Sequence, residues 1–114
     1  MNFPKRGEIW LSSLDPAVGR EIKKTRPVII VSNDRNNEFY ETITIVPLTS
    51  NVQKIYPFET YLSIAETNLP KESKAKCDQV RTIDKKRIIK FLTAISEDKM
   101  KEVEKALLIH LGMY

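Results

Sequence analysis

"KTRPVIIVSND" (Lys24–Asp34) places a permanent cation, Arg26, directly before a proline and four consecutive β-branched residues, Val28 to Val31. β-branched side chains are stiff about χ1 and favour a pleated backbone. A nearly unbroken apolar run of this length reads as a strand covered on both faces, and Pro27 is acceptable at its first position. The proline ring also pushes Arg26 into extended backbone, so its guanidinium is expected to project from a rigid strand start. The polar "NDRNNE" (Asn33–Glu38) that follows is expected to turn the chain.

Working outward, "EIWLSSL" (Glu8–Leu14) reads as a strand with Ile9 and Leu11 on one face and Trp10 on the other. Between the two strands lies "DPAVGREIKKTR" (Asp15–Arg26), with Asp15-Pro16 and Gly19 as turn residues. It is longer than a hairpin needs, which marks it as a candidate functional loop. Downstream, "TITIVPLTS" (Thr42–Ser50) sets Ile43 and Ile45 against Thr42 and Thr44. Pro47 is expected to end its regular pairing or mark an edge, leaving Thr49 just past the strand. "FETYLSI" (Phe58–Ile64), "KAKCDQVRTI" (Lys74–Ile83) and "RIIKFLTAI" (Arg87–Ile95) read as further strands, with "AETNLPKES" (Ala65–Ser73) as a loop. Ser96 can cap a final helix whose first turn holds Glu97 and Asp98, with Met100, Val103, Leu107 and Leu111 at helical spacing and Gly112 beyond its end. The expected fold is a small, mainly β barrel with a C-terminal α-helix, working through loops at one rim.

The chain of 114 residues suits one domain spanning 1–114. Nineteen Lys and Arg against fifteen Asp and Glu leave a formal charge of +4, a mild lean toward polyanions. One Cys and one His exclude an internal disulfide and a zinc-type cluster, and a reducing cytoplasm fits. Three glycines provide no phosphate-cradling loop. "MNFPKRGEIW" lacks an apolar leader core, and no apolar run approaches bilayer length. Neither cofactor, metal nor membrane is expected.

Four segments taken together change the functional reading: "RGEIWLSSLDP" (Arg6–Pro16), "GREIKKTRPVIIVSND" (Gly19–Asp34), "IVPLTS" (Ile45–Ser50) and "DQVRTIDKKRI" (Asp78–Ile88). In order and spacing they resemble the MazF/PemK toxin family over most of the chain. The resemblance implies an SH3-like barrel of the CcdB/MazF type and a toxin of a type II toxin–antitoxin system. Its implied activity is sequence-specific, metal-independent and ribosome-independent cleavage of single-stranded RNA by a homodimer that a cognate antitoxin holds inactive. Carried onto this chain, the catalytic arginine falls on Arg26, the catalytic threonine on Thr49 and the glutamate preceding the arginine on Glu21. The loop from Asp15 to Thr25 resembles the family's mobile loop, and Ser50, Asp78 and Gln79 lie in the segments that line its RNA groove. Residues 51–73 show no match from which base-reading residues can be carried over.

The chemistry explains why such residues are needed. Metal-free RNA cleavage uses the ribose 2′-OH as nucleophile, so the protein must stabilise an anionic phosphorane and move two protons. Arg26 offers a planar fork that stays charged, and Thr49 offers a hydroxyl donor to a nonbridging oxygen. Glu21 is the nominated proton acceptor, although a neighbouring arginine would lower its basicity. Lys23, Lys24 and Arg81 can supply charge to a basic groove, with Asn33 and Gln79 as base-edge contacts. Structural alternatives stand beside these assignments: Arg26 paired with Glu21, Arg81 paired with Asp84, Thr49 as turn chemistry and "KKR" (Lys85–Arg87) as a solvated turn. His110 reads as a cation at a helix end or a dimer contact, Cys77 as a small core residue, and Tyr40, Tyr56, Phe58 and Tyr61 as core or interface ahead of the alternative, base-stacking platforms. The competing function is a non-nucleolytic toxin of the same fold that acts on DNA gyrase.

Overall fold

The computed structural model describes residues 3–114. Strands β1 (Glu8–Ser13), β2 (Thr25–Ile30), β3 (Thr42–Thr49), β4 (Glu59–Leu62), β5 (Ser73–Lys76), β6 (Arg81–Asp84) and β7 (Ile88–Ala94) form one antiparallel system. Its order is β4-β5-β3-β2-β1-β7, with β6 paired to β3.

The run that opens "VIIV" behaves as its composition demands. Val28, Ile29 and Ile30 are fully buried, and alternation sends them into two different cores. Ile29 joins Ile9, Val46, Leu48 and Cys77 beneath the C-terminal helix α3 (Glu97–Leu111). Val28 and Ile30 join Leu14, Ile43, Ile45 and Ile83 on the other face. Each such side chain contributes roughly 1.5–3 kcal/mol through burial, and together they hold the start of β2 in place. Helix α3 is capped as its sequence predicts: Ser96 Oγ accepts from the Lys99 N–H (3.1 Å) and Gly112 takes the left-handed conformation at φ 70°. Met100, Val103 and Ala106 are its buried stripe, whereas Leu111 lies exposed.

Four local expectations are corrected. "NDRNNE" forms helix α1 (Asp34–Phe39) rather than a simple turn, because the Asn33 side chain accepts from the Asn36 N–H (2.8 Å) and caps it. The segment read as loop after β4 contains helix α2 (Ile64–Thr67), closed by a reciprocal Ser63–Glu66 capping box. "KAKCDQVRTI" is two strands, β5 and β6, separated by a 3₁₀ turn at Cys77–Gln79. Pro47 lies inside β3, opposite Val28. The missing N–H is tolerated there because β3 changes partner around it: Thr42–Ile45 pair with β6, and Leu48–Thr49 pair with β5.

Candidate functional site

The pairing of β2 with β3 runs Ile30↔Ile45, Ile29↔Val46 and Val28↔Pro47. Two residues beyond the last of these pairs stand Arg26 on β2 and Thr49 on β3. Both line a cleft of about 260 Å³, walled also by Ser50, Leu69, Pro70 and Lys71. Arg26 Nε donates to the Lys23 carbonyl (3.2 Å). No ion pair among the described residues involves Arg26, and Glu21 is not its partner. The guanidinium thus keeps its charge and its terminal NH₂ groups available to an anion. Thr49 Oγ1 accepts a long bond from the Asn51 N–H (3.3 Å), which leaves its own O–H as a donor.

Glu21 sits elsewhere. Its Oε1 accepts from the Val18 N–H (2.6 Å), and it lines a second cleft of about 600 Å³ with Arg20, Asp78, Gln79 and Arg81. The loop between β1 and β2 forms one wall of this cleft and is tied to the body of the protein by its backbone. Gln79 Oε1 accepts from the Ile22 N–H (2.7 Å), and its Nε2 donates to the Arg20 carbonyl (3.2 Å). Arg81 donates to the Leu14 carbonyl (3.2 Å) and Arg87 to that of Asp15. Asp15 accepts from the Lys24 N–H (2.9 Å). Asp78 has one carboxylate oxygen shut away from solvent without a hydrogen bond, facing Lys76 Nζ at 3.6 Å.

The fold therefore gathers Arg26, Thr49 and Ser50 in one cleft and Glu21, Asp78, Gln79 and Arg81 in another, with exposed Lys23 and Lys24 on the stretch between them. Asn33 belongs to neither. It caps α1 beyond the far end of β2, seven residues from Arg26 or about 20 Å along extended chain, so the protomer does not bring it to the cleft. Gln79 serves the loop with both ends of its amide, and Arg81 bonds Leu14 rather than pairing with Asp84. Cys77 is core, and burial pushes its thiol up to about 12. His110 is exposed in the last turn of α3, 6.5 Å from the Phe58 ring. Tyr40, Tyr56 and Tyr61 are exposed and Phe58 is half-buried, so none of the four is core within the protomer.

One cluster escapes sequence reading. Glu59 is buried and pairs with Lys74 (3.0 Å) and Lys76 (2.9 Å), two lysines on one face of β5. Burial would raise the Glu59 pKa, but the Tyr56 N–H and both ammonium groups outweigh it and hold the carboxyl below its ordinary value. Lys74 stands opposite Thr49, so this network flanks the cleft. The alternating "KAK" of β5 was its signal, but only the strand pairing supplies the buried partner. Among the described residues, no three His, Cys, Asp or Glu side chains are grouped to hold a metal ion, and no helix is long and apolar enough to cross a membrane.

A family model described as PemK-like, MazF-like toxin of type II toxin–antitoxin system matches residues 5–111. Endoribonuclease MazF9 of Mycobacterium tuberculosis is 39% identical over 115 residues, covering 96% of this chain and 98% of that protein. The crystal structure of MazF from Deinococcus radiodurans superposes with a TM-score of 0.86 at 26% identity, over 99% of this chain and all of that one. A MazE–MazF crystal structure from the same organism gives 0.74 at 28% identity, over 99% of this chain and 100% of that one.

Proposed function

The chain belongs to the PemK-like, MazF-like toxins of type II toxin–antitoxin systems, and from that premise we propose that it is an endoribonuclease cutting single-stranded RNA at a preferred sequence without a metal ion. The observation that carries the reading is that Arg26 and Thr49, on neighbouring strands, line one open cleft, with no carboxylate among the described residues paired to the arginine. In this mechanism a ribose 2′-oxygen attacks its own 3′-phosphorus and the bond to the 5′-oxygen breaks, the departing oxygen taking its proton from water. The products are a 2′,3′-cyclic phosphate and a 5′-hydroxyl end. Arg26 grips the nonbridging oxygens as charge builds on them, and the Thr49 hydroxyl donates to one of them. Glu21 accepts the 2′-OH proton, which requires the loop to carry its carboxylate from the neighbouring cleft. Lys23, Lys24 and Ser50 hold the strand, while Asp78 and Arg81 present polar groups along the second cleft.

The protein acts as one domain, as a homodimer and in the cytoplasm, where mRNA is its substrate. Its cognate antitoxin is read as an acidic segment laid across the basic clefts, in the place RNA would take. The named MazE–MazF complex of a relative supports a protein partner of this kind.

The test is incubation of the purified chain with mixed-sequence single-stranded RNA in EDTA, beside Arg26→Ala and an all-deoxy substrate. Discrete cuts that need both Arg26 and the 2′-OH, and leave cyclic phosphate, are the expected result. Intact RNA in every lane would overturn the nuclease reading and turn attention to gyrase.

A further inference from the structure

Beside the Arg26–Thr49 cleft the chain holds an aromatic platform that the proposed chemistry leaves unused. Tyr56 and Phe58 stack with centroids 5.4 Å apart and planes within 5° of parallel. Phe58 is half-buried, but Tyr56 stays 41% exposed. Two ammonium groups attend its ring: Lys54 Nζ at 4.9 Å from the centroid and Lys74 Nζ at 5.9 Å. Both nitrogens lie over the ring that Phe58 backs, and Lys54 is exposed, so a single-stranded nucleic acid can stack a base on the ring as the Lys54 ammonium swings aside to meet a phosphate.

The platform is held firmly by its own neighbours. Glu59 Oε1 accepts from the Tyr56 N–H (3.0 Å), and the Tyr56 carbonyl accepts from the Glu59 N–H (2.9 Å). The same buried carboxylate pairs with Lys74, whose Nζ also donates to the Lys54 carbonyl (2.8 Å). One ion pair therefore fixes the backbone at both Lys54 and Tyr56, and a preordered surface loses little entropy when it binds. Position supplies the second argument. Lys74 is the cross-strand partner of Thr49, so the platform begins one strand and one lysine side chain away from the hydroxyl assigned to the phosphate.

We propose that Tyr56, backed by Phe58 and flanked by Lys54, is a base-stacking subsite for a nucleotide flanking the cut, and that it sets the affinity and register of the RNA rather than its chemistry. The proposal rests on the nuclease reading for the identity of its ligand. Its test is fluorescence anisotropy of the full chain with a labelled 2′-O-methyl single-stranded oligonucleotide, which binds without being cut. Tyr56→Ala and Tyr56→Leu, the second keeping apolar bulk without a π-face, are expected to weaken binding by roughly tenfold or more, whereas Tyr56→Phe retains it. An abasic nucleotide scanned along the oligonucleotide should cost the unaltered protein a similar factor at one position and cost Tyr56→Ala nothing further there. Unchanged binding by both Tyr56→Ala and Tyr56→Leu, or equal abasic losses in the presence and absence of the tyrosine ring, would overturn the subsite. So would a change confined to dimer mass or antitoxin affinity, which would make the platform a protein contact. The two readings separate cleanly: cleavage of unmodified RNA with Tyr56-independent binding removes the subsite alone, and Tyr56-dependent binding without cleavage removes the nuclease alone.

Discussion

At the scale of single residues, the chemistry turns on geometry more than on charge. Arg26 is preceded by exposed chain and followed by a proline and three fully buried side chains, so its Cα is held while its guanidinium stays accessible. A lysine at this position keeps the charge and loses the fork. Arg26→Lys is therefore expected to cut RNA at least about 10²-fold more slowly with an unchanged melting temperature, and Thr49→Val to lose a similar factor in kcat while Thr49→Ser keeps most of it. Single-turnover cleavage on a labelled substrate measures both. Cys77 is a contrasting case, since burial lifts its thiol to about 12 and its Sγ faces the Val103 carbonyl at 3.9 Å. It should ignore a thiol-specific disulfide reagent at pH 8 in the native protein and react fully once guanidinium unfolds it. Rapid labelling without denaturant would mean that the strand layer opens under α3.

At the scale of elements, the β1–β2 loop ends in a strained residue. Lys24 has φ 69°, a left-handed conformation unfavourable for a side chain with a Cβ, and is held there by the Asp15 carboxylate and by the Leu14 N–H bonded to its carbonyl. Relief of that strain, offset by the greater unfolded-state freedom of glycine, should make Lys24→Gly more stable by about 0.5 kcal/mol. The same substitution removes a cation beside Arg26, so RNA binding should weaken as denaturant resistance rises; a change of both in one direction would deny Lys24 its place in the groove. The elements easiest to read were those whose signal is local: the apolar run of β2, the alternation of β1, and the Ser96 and Gly112 caps of α3. Helices α1 and α2 escaped because each is a single short segment whose polar residues serve as caps and turns alike, and the break at Cys77–Gln79 has neither Gly nor Pro to announce it. The meeting of Arg26 and Thr49 in one cleft is of another kind. It depends on a register between segments about twenty residues apart, which local pattern cannot supply, and the family resemblance named the two residues without showing that β2 and β3 set them side by side. Asn33 and Gln79 show a related ambiguity, since an amide suited to reading a base edge is equally suited to capping a helix or pinning a loop, and in this chain the two side chains do the latter.

At the scale of the whole molecule, the two sheet margins behave differently. Among the described residues strand β7 pairs only with β1, and it leaves Ile89 and Phe91 58% and 47% exposed, with Phe91 set edge-on to Trp10 at 5.8 Å. An uncovered edge strand carrying large apolar groups invites a second copy, so Phe91→Glu is expected to convert the proposed dimer to monomer in sedimentation equilibrium while the far-ultraviolet spectrum stays native. The opposite margin, β4–β5, is locked from within by Glu59, whose removal would strand Lys74, 9% exposed, without its counterion. Breaking a buried pair from one side costs on the order of 3 kcal/mol, the loss expected for Glu59→Gln in urea unfolding at neutral pH. The pH dependence follows from the direction of the Glu59 shift, which lies below the ordinary 4.5 because the Tyr56 N–H and two lysines overcome the effect of burial. Above pH 4.5 the carboxylate is ionised whether the chain is folded or not, and its contribution is complete. Below that value the unfolded chain takes up its proton first, so the contribution shrinks and is gone once the pH passes the folded pKa. Lys76, whose pKa is raised by Glu59 and Asp78 against the effect of burial, stays charged throughout this window and adds no slope of its own. The stability gap between the natural chain and Glu59→Gln should therefore be flat from pH 7 to about 5 and close as the acid limb is entered; a gap that persists undiminished at the acid end would show that the carboxylate's charge is not what holds β4 to β5.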